Sequence, residues 1–184
     1  MESFEKSYCH AALKMGEPHI SYHNTAYGFP AKSDNELFKR LMFEVNQAGL
    51  SWTIILKKRE GFLIAYDYFD IQKVANYTEQ DRERLLADTR IIRNKLKVNA
   101  AIHNAKKIIE LQKEFGSFKN WLDEQAPKTI TEWVKLFKKH FKFTGGEITK
   151  EFLMGTGYLK GAHHPDCPQY QEVIKHQPNW LQYE

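Results

Sequence analysis

The chain has 184 residues with a formal net charge of +4, and 42% of it is hydrophobic, 14% aromatic and 27% charged. Such a balance supplies a core of ordinary size and excludes wholesale disorder, while the length favours one domain over a multidomain assembly. No apolar run reaches the roughly 18 residues of a membrane span, and Met1 to Lys6 lacks a signal-peptide apolar stretch, so a soluble, cytoplasmic protein with no membrane partner is expected.

Ser33-Asp34-Asn35-Glu36 has capping-box form and predicts a helix start, with Leu37, Leu41, Val45 and Ala48 at helical spacing behind it. Gly49 is placed to stop that helix and Ser51 to cap the next, whose buried stripe is Trp52, Ile55 and Leu56. Asp70 and Thr78 precede two short helices over 71–75 and 79–86. A basic stretch, Arg90 to Lys97, leads into a longer helix carrying Ala101, Ala105, Ile108 and Leu111 and ending near Gly116. Further helices are predicted over 118–124, 131–140 and 147–154; the polar tail after Cys167, with Trp180 and Tyr183, is left open between docked and loose. Without sustained apolar/polar alternation or a hairpin dipeptide between β-branched runs, the class is all-α.

Glu44 falls on the apolar face of its own helix, between Leu41 and Ala48. An inward carboxylate needs donors, a cation or a ligand. Helix N–H groups or a buried arginine would satisfy it; so would a flat ligand, for which Tyr22, Gln47 and Trp52 supply polar and stacking groups. Cys9, His23, His163 and Cys167 offer two thiolates and two imidazoles near the chain ends, compatible with a zinc site of Cys2His2 type, with His10 and His164 as substitutes and two free cysteines as the plainer alternative. The basic stretch before the long helix combines cations with helix-start N–H groups that can meet phosphate. The run Lys135, Lys138, Lys139 and Lys142, interleaved with Phe137, Phe141 and Phe143, reads as a face alternating between solvent and core, and Gly155-Thr156-Gly157 lacks the strand of a phosphate loop.

The segments from Tyr22 to Pro30, Leu37-Phe38 and Glu44-Val45-Asn46-Gln47-Ala48-Gly49-Leu50-Ser51-Trp52 resemble the bacterial 3-methyladenine DNA glycosylase I family. The likeness continues through Ile55 to Glu60, Ile91-Ile92-Arg93-Asn94, Gly116-Ser117-Phe118, Phe141 to Gly145, His163 and Cys167. It implies an all-α, helix-hairpin-helix fold: one domain over 1–184, with a lobe from the two chain ends (about 1–32 and 131–184) around a central lobe (about 33–130). It further implies one structural zinc ion per chain on Cys9, His23, His163 and Cys167. Glu44 is implied as the catalytic residue, with Tyr22, Trp52, Tyr27 and Gln47 binding the base and Gly49, Leu50, Arg93, Asn94, Lys95 and Lys97 on the DNA.

The activity implied is hydrolysis of the glycosidic bond of 3-methyladenine in double-stranded DNA by a monomer that leaves an abasic site without cutting the strand. A non-catalytic damage-binding module and a glycosylase for another small-lesion purine are the alternatives. Several positions depart from the family pattern. Asn24 replaces an acid, Ala26-Tyr27 a glutamate-tryptophan pair, and Arg90 a glycine whose place would strain an arginine if it needs positive φ. Thr131 to Lys135 replaces a serine-rich lead-in, and no tryptophan follows Cys9 closely.

Overall fold

In the computed structural model, which describes residues 3–184, eleven α-helices and three short 3-10 turns account for the regular structure, and no strand occurs among the described residues. The helices are α1 (Tyr8–Met15), α2 (His19–Thr25), α3 (Asp34–Gln47), α4 (Trp52–Ala65), α5 (Ile71–Ala75), α6 (Glu79–Ala87), α7 (Lys95–Phe115), α8 (Phe118–Gln125), α9 (Ile130–His140), α10 (Gly146–Gly155) and α11 (Pro168–Lys175). No helix among the described residues is long and apolar enough to cross a membrane.

Capping chemistry sets most boundaries. Asp70 accepts from the Lys73 N–H, Thr78 and Asp81 form a reciprocal box, and Asn94 accepts from the N–H groups of Leu96 and Lys97. At Ser33 only half of the expected box forms. The Ser33 hydroxyl accepts from the Glu36 N–H, but the Glu36 carboxylate accepts instead from the Lys32 N–H and from Arg40. Ser51 occupies the cap position of α4 without a side-chain bond. The tail docks: α11 follows Cys167 directly, and Trp180 is buried beyond it.

One buried cluster runs from Leu37 and Phe38 on α3 through Val98 and Ala105 on α7 to Trp133 and Phe137 on α9 and Phe152 on α10. The core thus continues across the boundary expected near residue 130. Phe137 and Phe141 point into it, as the alternating reading of the basic run requires.

Two glycines shape the surroundings of α4: one in the turn before it, one where it meets the loop between α6 and α7. Gly49, at φ +78°, makes the left-handed step that lets only four residues separate α3 from α4. Gly61 on α4 faces Arg90 so closely that a Cβ there would lie 2.6 Å from the Arg90 Cβ, so the missing side chain admits the hairpin. Arg90 itself is absent from the positive-φ residues, and its guanidinium pairs with Asp88 at 2.7 Å. The strain anticipated for an arginine at this position does not arise.

Candidate active site and metal centre

A cavity of about 790 Å³ opens between α1, α2, α3, α4 and α10, within the range of small-molecule sites. Glu44, Tyr22, Tyr27, Gln47 and Trp52 all line it. Tyr22 stands edge-on to Trp52, with ring centroids 5.1 Å apart, and is tilted 37° to Tyr27 at 5.6 Å. Two further walls were not read from the sequence. Tyr8 packs edge-on against Tyr27 at 5.2 Å and bonds His19 Nδ1 at 2.9 Å, and Glu151 accepts from the Tyr27 hydroxyl at 3.2 Å. Tyr8 and Glu151 lie far in sequence from Glu44, and only the fold brings them together.

The Glu44 side chain is 7% exposed, yet it accepts no hydrogen bond and forms no ion pair among the described residues. Arg40, the half-buried arginine one turn earlier, is engaged elsewhere. It donates to the carbonyls of Phe29, Ala26 and Gly155 at 2.7, 2.9 and 3.0 Å and pairs with Glu36. Both internal explanations for an inward acid, a helix N–H partner and a buried arginine, are therefore absent. Burial, reinforced by the charge of Glu151, pushes the Glu44 carboxyl well above the usual carboxylate range. The site holds an uncompensated acid among aromatic rings, which suits a flat ligand that brings a donor edge or a positive charge.

Beside the cavity, Cys9 from α1, His23 from α2, and His163 and Cys167 from the segment before α11 converge. All four are buried, with their ligand atoms within 4.8 Å of one another. The Sγ–N separations of Cys9–His163 and Cys167–His23 are both 3.6 Å, that of Cys167–His163 is 3.9 Å, and the two imidazole nitrogens are 3.2 Å apart. Ideal tetrahedral zinc with bonds of about 2.3 Å to sulfur and 2.0–2.1 Å to nitrogen requires edges of about 3.6 and 3.3 Å. These four edges lie close to those lengths, and the cluster could hold a metal ion.

Tautomers are fixed to match. His163 Nε2 lies 2.7 Å from the Tyr27 carbonyl, and His23 Nδ1 lies 2.7 Å from Asn24 Oδ1, so both N–H groups point outward and leave the inward nitrogens free. Asn24 thus preserves the acceptor that the family's acid would supply. Burial opposes ionisation of Cys9, but hydrogen bonds with His163, His23 and the His164 N–H outweigh it and lower its pKa to about 5. Burial, with Cys9 beside it, pushes Cys167 up to about 11.

The six residues expected on the DNA divide into two groups. Gly49 is exposed and Leu50 half-buried in the α3–α4 turn, while Arg93, Asn94 and Lys95 are exposed at the start of α7. Lys97 faces inward, 4% exposed, and donates to the carbonyls of Asn46 and Ala48, each at 2.7 Å. Its ammonium closes the C-terminal end of α3 and ties the turn to α7, so the expectation of a Lys97–phosphate contact gives way to a positioning role. The uneven apolar stripe of α7 gave no sign of this.

Residues 13–135 match the family model described as Methyladenine glycosylase. The chain is 32% identical over 171 residues to DNA-3-methyladenine glycosylase 1 of Escherichia coli, an alignment that spans 83% of this chain and 91% of the relative. Its structure superposes on 3-methyladenine DNA glycosylase I from Staphylococcus aureus, described for the structural basis of 3-methyladenine recognition, with a TM-score of 0.78 at 29% identity, covering 91% of this chain and 97% of that one. A tyrosine-to-phenylalanine variant of 3-methyladenine DNA glycosylase I in complex with 3-methyladenine gives 0.78 at 30% identity, covering 86% and 95%. By sequence and by fold, the chain belongs to the 3-methyladenine DNA glycosylase I family.

Proposed function

We propose that this chain excises 3-methyladenine from alkylated double-stranded DNA in base-excision repair, acting as a monofunctional, monomeric N-glycosyl hydrolase of helix-hairpin-helix type. The observation that carries the reading is the Glu44 carboxyl, buried in an aromatic cavity with no partner of its own. Methylation at N3 places a positive charge on the attached base, so the glycosidic bond is weakened and the base departs neutral. Little acid catalysis is needed. The nucleotide turns out of the duplex, the base packs among Tyr22, Tyr27 and Trp52, and Glu44 accepts from its amino edge while favouring its charge. Gln47 lines the same cavity. Water then attacks the sugar. Asp88, the acid nearest the hairpin in sequence, is held by Arg90 and is not offered to the reaction.

The single-domain organisation over 1–184 follows from this reading, with the chain ends joined by one structural zinc ion on Cys9, His23, His163 and Cys167. The tetrahedral edge lengths and the borderline-soft donor set support zinc over a hard cation.

Incubation with methylated duplex DNA should release free 3-methyladenine, identified by chromatography, and leave strands that break only on later alkali treatment. Borohydride should trap no protein–DNA adduct. Retention of DNA without any released base would instead favour the damage-binding module, and release of a different purine the other-lesion enzyme.

The DNA-facing residues yield a separate expectation. Arg93→Ala should weaken duplex binding and reduce the dependence of log K on log salt by about one. Lys97→Met should leave that slope in place while costing about 2–4 kcal/mol of folding stability, because a buried and a half-buried carbonyl at the end of α3 lose their donor. Salt titrations and urea unfolding of the two variants separate these roles; a reduced slope in Lys97→Met would return its ammonium to the phosphates.

A further inference from the structure

The cavity contains a second carboxyl that the mechanism above does not use. Glu151 enters from α10 and Glu44 from α3, two helices that pack against each other, so both acids share one space. The Tyr27 hydroxyl donates to Glu151 Oε2 at 3.2 Å, and no protein donor reaches Oε1. Neither carboxylate is neutralised by an ion pair among the described residues.

The surrounding cations are placed differently. Lys150 follows Glu147 on the same helix and lines the cavity without closing on either acid. Lys160 pairs with Glu184 and lies over the Trp180 ring at 5.2 Å. His163 is committed to the metal cluster and His164 lies against it, while Lys6 lines the N-terminal edge. Burial raises the Glu151 carboxyl above its ordinary value.

Two carboxyls in one cavity, Glu44 buried and Glu151 half-buried, resist joint ionisation unless a cation enters with them. A neutral purine brings no such relief. A purine with a fixed positive charge relieves both acids, so its advantage over the neutral base grows with each carboxyl that lines the cavity.

We propose that Glu151 is a second specificity-determining carboxylate, which together with Glu44 makes this cavity select purines by fixed positive charge as well as by edge pattern. The proposal rests on the base-excision reading for the kind of ligand that enters. The Tyr27–Glu151 bond would hold the second acid in place, so that the tyrosine at this position and the acid on α10 act as a pair.

The test compares 3,9-dimethyladeninium, a permanent cation with a methyl group in place of the sugar, with the neutral 9-methyladenine, by calorimetric titration of the full chain at low salt. Wild type should prefer the cation. In Glu151→Gln, and independently in Glu151→Ala, the cation-to-neutral affinity ratio should fall by about tenfold or more, and Glu151→Asp should recover most of it. A ratio unchanged from wild type in either folded neutral variant overturns the proposal while leaving base excision standing. Failure of wild type to bind either ligand, with no base released from methylated DNA, removes both readings together.

Discussion

Replacing Glu44 by glutamine should lower release of 3-methyladenine by about a hundredfold or more, the cost of removing one well-placed electrostatic group from a water-poor site, without lowering the melting temperature. The two effects part because the carboxyl supports nothing in the fold. It accepts no internal hydrogen bond and sits where burial and Glu151 both resist its charge. Glutamine keeps the shape and removes that penalty.

The pH dependence of stability follows from the same shift. With its folded pKa raised above the ordinary 4.5, Glu44 binds a proton more tightly in the folded state than in the unfolded one. Stability therefore declines as pH climbs above about 4.5 and stops declining only once pH passes the raised folded value. The Glu44→Gln variant should lack that decline, so its advantage over wild type widens with rising pH across this window. Thermal melts of both proteins over the range, run beside base-release assays, check the pair of effects. A variant that loses activity and stability in parallel would mean that the carboxyl is part of the framework, and the recognition role would fall.

How much of this was legible before the structure depends on how local each signal is. Caps at Asp70 and Thr78 lie within three residues of the groups they satisfy, so the helix starts they mark could be read directly. Glu44 was legible for a similar reason: its place on an apolar face is a matter of helical period. The α1 and α2 helices were not, because neither carries a long apolar stripe and both are held by contacts with distant segments, such as Tyr8 with His19 and His19 with Thr53.

Glu151 and Tyr8 escaped for the same reason on a larger scale, since nothing near them in the chain announces a cavity built from five helices. Lys97 misled, because a lysine in a basic stretch looks like a phosphate contact until its two carbonyl partners on α3 and just beyond it are seen. The departures from the family pattern prove locally compensated where the structure speaks to them. Asn24 retains the acceptor for His23, Tyr27 finds Glu151, and Arg90 is accommodated by Gly61 and Asp88.

Loss of the zinc ion proposed for the Cys9–His23–His163–Cys167 cluster should produce the largest change in stability. Stripping it with a strong chelator, or replacing Cys9 and Cys167 together by serine, should lower the melting temperature by more than about 10 °C, since apparent binding energies of structural zinc in small sites run to about 10–16 kcal/mol and even a fraction of that exceeds a typical single-residue effect. The cluster draws α1 and α2, from one end of the chain, onto the segment before α11 at the other. No buried apolar residue of α1, α2 or α11 belongs to the main core cluster, so these segments lean on the ligands more than on packing. Base release should fall with the melting temperature, because Tyr8 adjoins Cys9 and the Tyr27 carbonyl lies against His163, so two cavity walls are anchored at the metal site. The stabilisation is also expected to be acid-sensitive: the ion must displace protons from its ligands, so the gap between loaded and stripped protein should shrink as pH falls toward the Cys9 value of about 5. Calorimetric melts of both forms, with metal content measured per chain, test this directly; stripped protein that melts within a degree or two of the loaded form would reduce the four residues to a buried cluster without a structural ion.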